Sequence, residues 1–221
     1  MTDYLLEIQI DQAGVQAIAG SGMSIAILLP QQNAAYQIVA VLTSATNTIH
    51  VEWTDALSVY VSQYSLTAYS VPMINNSSAA LSGQVFTYNS TTITQTGSTS
   101  LADTVQLSNA SGGTITSGLA RVYTINGQTQ DLAITSAASL LNSVLGSFTI
   151  SGQLLLTLLG GAQAGMALPT QTIPSFGTVQ KRSIPQVAVA QPLLLDFTAS
   201  NNSQTVHFND QSNTFIKGGL P

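Results

Sequence analysis

The sequence predicts a mainly β protein built as two sandwich-like antiparallel halves. Three observations predict it. Short apolar or alternating runs of strand length recur at roughly the 8–12-residue spacing of sandwich proteins. One Asn-Gly pair, Asn126-Gly127, stands between alternating flanks. Polarity comes from Ser, Thr, Asn and Gln in place of charge. Asp, Glu, Lys and Arg make up 6% of the 221 residues, where about 25% is usual. Hydrophobic residues reach 44%, enough to fill a core, so the composition is not that of a disordered chain.

Tyr4–Ile10 alternates and reads as a strand. Asp11 can cap a short helix over 12–19 that turns Val15 and Ile18 inward and stops near Gly20. Met23–Leu29 is a continuous apolar run ended by Pro30, and Tyr36–Leu42 is a second; both read as buried strands. Thr48–Trp53 alternates, and Leu57–Tyr64 is rich in Val and Tyr, which suits strands. INNSSAALSG reads as loop, and Gln84–Tyr88 as a strand. Leu119–Ile125 and Gln128–Ile134 flank the Asn-Gly pair as a hairpin, because these two residues accept the positive φ angles of a type I′ turn. Ser136 can cap a second helix over 137–145, with Leu140, Leu141, Val144 and Leu145 on one face. Ser147–Leu159 is one long strand or two. Pro169, Pro174, Pro185 and Pro192 confine any strand beyond it to edges. Val187–Phe197, Gln204–Phe208 and Thr214–Lys217 close the chain.

These elements divide the chain into an N-terminal β domain over 1–88, a Ser/Thr/Gly-rich linker or exposed hairpin over 89–118, and a C-terminal β domain over 119–221. The order of elements is compatible with an internal duplication. Strand, capped helix and apolar strand follow one another over 4–10, 12–19 and 23–29, and again over 128–134, 137–145 and 147–159. Thr48-Ile49-His50-Val51 is echoed by Thr205-Val206-His207-Phe208.

Charge excludes several functions. Net charge is −5, and the only bases are Arg121, Lys181, Arg182 and Lys217. Nucleic acid needs more Lys and Arg than that to neutralise phosphates, and anionic lipid is disfavoured for the same reason. The chain has no Cys, so thiolate metal sites and disulfides are absent. MTDYLLEIQID carries acids where a signal peptide needs a basic start and an apolar run. The uncharged stretch 132–180 is interrupted by Asn, Ser, Gly and Gln too often to form a membrane helix.

Catalytic motifs are missing. His50 and His207 lack a third ligand for a metal. No Gly-x-Ser-x-Gly elbow or Ser-x-x-Lys is present, and no Gly-rich run leads into Lys-Ser/Thr. No catalytic residue, metal or cofactor is therefore expected. The aromatic stretch offers a binding face instead. Tyr60, Ser62 and Tyr64 share one side of a strand, and with Trp53 they would present rings and hydroxyls to a sugar or a neutral partner.

NTIHVEWTDALSVYVS, GLARVYTING and LLLDFT…TVHFND…TFIKG together resemble a group of small, cysteine-free, low-charge, β-rich microbial proteins with no assigned function. The resemblance covers most of the chain and implies no catalytic residue or ligand.

Charges on edge strands normally guard against edge pairing, and this chain has few to place there. The expectation is a non-enzymatic binding or self-assembling protein, homo-oligomeric, meeting a glycan or a neutral protein surface. The alternative is a membrane-active, β-pore-forming toxin-like protein, in which 90–118 would supply the Ser/Thr-rich hairpin.

Overall fold

A computed structural model describes residues 2–30, 35–170 and 188–221. The chain opens with β1 (Asp3–Gln9), α1 (Gln12–Gly20), β2 (Met23–Leu28), β3 (Tyr36–Thr43) and β4 (Thr48–Thr54). Then come β5 (Leu57–Ser62), β6 (Asn76–Ala80), β7 (Gln84–Tyr88), β8 (Ile93–Ser98), β9 (Thr104–Asn109) and β10 (Ile115–Arg121). Four short strands follow, β11 (Tyr123–Ile125), β12 (Gln128–Thr129), β13 (Ala133–Ile134) and β14 (Ala138–Leu140), and then β15 (Leu145–Thr149) and β16 (Gln153–Gly160). The chain closes with β17 (Ala167–Pro169), β18 (Ala188–Val189), β19 (Leu193–Asp196), β20 (Ser203–Asn209) and β21 (Thr214–Lys217).

The protein is mainly β, as expected, and holds two sandwiches. In the first, a sheet ordered β12-β11-β4-β1-β20-β21 faces one ordered β17-β3-β2-β16-β18, with β19 also on β16. Between them Leu6, Ile8, Val51, Ile27, Leu156 and Val206 share one core. In the second, β13-β10-β5-β6, with β14 on β10, faces β15-β9-β7-β8. Val59, Val61, Phe86, Leu107, Leu119 and Phe148 fill the space between.

The sandwiches do not divide at residues 88 and 119. β1 lies between β4, antiparallel, and β20, parallel, while β2 pairs with β16. The first sandwich thus takes strands from both chain ends, and the second is inserted between β4 and β16. Residues 89–118, expected as a linker or exposed hairpin, carry β8, the exposed return strand of a hairpin with β7, followed by β9 and the start of β10. The stretch over 76–80, expected as loop, is a strand paired to β5. β8 pairs with neighbouring β7, but β1, β6, β9 and β10 take ladders from strands further away in the chain, which no local pattern encodes.

Local signals fared better. Asp11 Oδ1 accepts from the Gly14 amide at 2.6 Å and starts α1, whose Ile18 is buried. Asn126 and Gly127 take φ angles of 50° and 78° and join β11 to β12. The hairpin strands are shorter than expected, because the chain changes sheets at both ends. β10 belongs to the second sandwich and β11 to the first, with exposed Val122 at the corner.

The second helix does not form. Residues 138–149 are β14, a turn and β15. Ser143 has φ 62°, and the Ser136 hydroxyl accepts from the Leu119 amide instead of capping a helix. Leu140 packs in the second core, whereas Leu141, Val144 and Leu145 are exposed. Apolar spacing alone could not separate this strand–turn–strand from a helix. The pattern of duplication loses its second helix. Its two histidine phrases do meet, but on β4 and β20 at opposite sides of β1 and running in opposite directions.

Pro169 sits in β17, at an edge, and Pro192 separates β18 from β19. Pro174, Pro185, Lys181 and Arg182 lie outside the described residues. No helix among the described residues is long and apolar enough to cross a membrane.

Candidate functional site

Trp53 is buried in the first core. Its ring stacks on Tyr4 with centroids 5.5 Å apart and meets Phe197 edge-on at 4.8 Å. Tyr60 is also buried, and its hydroxyl donates to the Ser136 carbonyl at 3.0 Å. The outward Tyr–Ser–Tyr face is therefore not present. β5 is covered on both sides: Val59 and Val61 enter the second core, while Tyr60 packs with Ile38, Ala120 and Ala167. Ser62 is buried too, and β5 ends there, so Tyr64 lies beyond the strand and is the one exposed ring of the three.

Two buried tyrosines carry a pH consequence. Burial pushes the Tyr60 hydroxyl far above its ordinary 10.0. Burial also raises Tyr123, against the opposing charge of Arg121. A raised folded-state pKa favours the folded state while both forms are neutral, and that contribution is lost as pH rises past the unfolded value. Stability is therefore expected to fall above about pH 10. In a spectrophotometric alkaline titration, the last two tyrosines should ionise together with the loss of circular dichroism. Ionisation of all seven tyrosines in a folded protein would contradict this.

The outer face of the β1 sheet sets Glu7 opposite His50 and Gln9 opposite His207. His50 Nε2 lies 4.0 Å from Glu7 Oε2, and His207 Nδ1 lies 3.0 Å from the Gly218 carbonyl oxygen. Among the described residues, no group of three or more His, Asp or Glu could hold a metal ion.

The most distinctive polar arrangement lies where the sandwiches join. A cavity of about 430 Å³ opens there. Leu57, Leu119, Arg121 and Ser136 line it together with β15, the connection to β16, and the residues that follow β2. Arg121 is 5% exposed and has no carboxylate within ion-pair distance among the described residues. Its Nε has no hydrogen-bond partner among the described residues, and the guanidinium lies close enough to the Tyr123 hydroxyl to oppose the effect of burial there. Asp55 senses the Arg121 charge. Burial raises the Asp55 carboxyl, but hydrogen bonds from Tyr4 and Thr2 together with Arg121 outweigh it and hold the group below its ordinary 3.8. One Asp55 oxygen accepts from the Thr2 amide at 2.9 Å. A guanidinium stays protonated, and withdrawing it from water unpaired costs several kcal/mol.

Three residues that line the cavity carry hydroxyls already used as acceptors. Ser136 accepts from the Leu119 amide, Ser147 from Gln106 and Ser151 from the Gln153 amide. Each is an acceptor in its bond, so each O–H remains free to donate. The free edge of β15 adds backbone donors. Asn109 bonds to the Val144 carbonyl and Ile150 to that of Asp103, so antiparallel alternation turns the Ser147 and Thr149 amides away from β9. Among the described residues, no acidic side chain lines the cavity. In the sequence, Arg121 stands out only as one of four bases; its burial depends on the corner at Val122.

Compared with protein-family models, curated proteins and solved structures, the chain matches none.

Proposed function

We propose that this is a non-enzymatic, self-assembling binding protein that associates through the neutral Ser/Thr/Asn/Gln-rich surface of its second sandwich. The observation that carries the reading is a sheet without charge. β7, β8, β9 and β15 contain no Asp, Glu, Lys or Arg. β8 forms one outer edge of that sheet, and five of its six residues are exposed. The Asn89–Thr92 bond closes the β7–β8 hairpin. With Thr87 opposite Thr94, alternation turns the Ile93 and Gln95 backbone groups toward the free edge. Among the described residues no charge or proline guards Ile93 and Gln95, and the one irregularity in the β7–β8 pairing falls past Gln95.

A second copy of the chain can meet β8 about a two-fold axis, each edge supplying the other's hydrogen bonds. Light scattering and native mass measurement over a concentration series should show species above the 23.0 kDa chain mass. Thr94→Lys places a charge on the exposed edge without removing a core contact, and should hold the protein at monomer mass. A wild-type protein that stays monomeric throughout would sink the reading.

A further inference from the structure

The geometry points to the cavity at Arg121 as a binding site for a small organic carboxylate with an apolar body. This is independent of edge association. A buried guanidinium that lacks an acidic partner is satisfied by an anion entering from outside, and its fork of N–H groups fits a carboxylate in two parallel bonds. Free O–H donors on Ser136 and Ser151, and the outward amides of Ser147 and Thr149, complete a donor-rich lining.

Charge balance and shape select the ligand class. Among the described residues, Arg121 is the single cation lining the cavity, so a monoanion is neutralised there where a dianion is not. Leu29, Leu57, Leu119, Phe148 and Ile150 supply an apolar wall, which inorganic phosphate cannot use and a hydrocarbon chain can. A cavity of about 430 Å³ falls in the range of small-molecule sites, roughly 300–1,000 Å³.

The test uses the full chain with three probes: hexanoate, hexanamide and inorganic phosphate. Binding is followed by calorimetry and by thermal unfolding. Hexanoate should bind saturably at concentrations up to about 10 mM and raise Tm, with hexanamide and phosphate about tenfold weaker or worse. Arg121→Met keeps the side chain's length and removes its charge. It should bring hexanoate down to the level of hexanamide, and without ligand it should unfold no lower than the wild type. Thr149→Trp, at an exposed position on the cavity wall, should block hexanoate sterically with Arg121 intact, so the test survives if Arg121→Met fails to fold. Hexanoate binding no better than hexanamide, or unchanged in Thr149→Trp, would overturn the site. Phosphate binding as tightly as hexanoate would overturn the ligand class.

Discussion

Gly118→Ala is expected to lower the urea midpoint sharply, with a stability loss of about 3 kcal/mol or more. Gly118 lies in the middle of β10, and a Cβ there would run into the backbone carbonyl of Ser136. That carbonyl cannot simply move away. The Thr135 and Ser136 amides both donate to the Leu119 carbonyl, the Ser136 hydroxyl accepts from the Leu119 amide, and the Ser136 carbonyl accepts from Tyr60. Lifting the loop would leave a tyrosine hydroxyl buried without a partner, at a further cost of about 1–3 kcal/mol. Equilibrium unfolding followed by circular dichroism checks this. Tyr60→Phe is the control: it removes one hydrogen bond without a clash and should lose only about 1 kcal/mol. A Gly118→Ala protein as stable as Tyr60→Phe would show that the loop yields freely.

Trp53→Ala should cost about 3–5 kcal/mol, the range for deleting a large buried aromatic. Trp53 touches three rings, Tyr4, Phe197 and Tyr123, and joins the β4 face to the residue that follows β19. Such pairs each add roughly 0.5–1.5 kcal/mol beyond area burial. Trp53 is the chain's one tryptophan, so the transition must be followed by circular dichroism. Trp53→Phe should restore part of the loss. A ring that served mainly to hold a ligand would be deleted at little cost to stability. A Trp53→Ala loss under about 1 kcal/mol would therefore contradict the core role.

What the sequence offered about function was mainly negative. The scarcity of charge and the lack of Cys were visible at once, and they frame the proposal of neutral association. The aromatic stretch is also visible in the sequence, but its burial is not. Alternation assigns Tyr60 and Val61 to opposite faces correctly; it cannot tell that both faces are covered. Arg121 was in plain view and carried no signal. Nothing local distinguishes an arginine in water from one enclosed by strands that arrive later in the chain.

The sequence by itself determined those features whose energetics are settled within a few residues. These are the strand alternation of β1 and β4, the Asp11 cap of α1, and the Asn126-Gly127 turn, where a side-chain bond or a backbone dihedral decides the outcome. Tertiary structure decided the rest. Leu140, Leu141, Val144 and Leu145 have the spacing of a helix, yet β9 offers β15 a ladder and β10 offers one to β14. β1 takes β20 as a parallel neighbour from the far end of the chain. Both outcomes rest on partners distant in sequence, because a strand's hydrogen bonds are completed by another strand and a helix's by itself. The cavity at Arg121 belongs to the same class, since it exists only where two sandwiches built from interleaved segments come together.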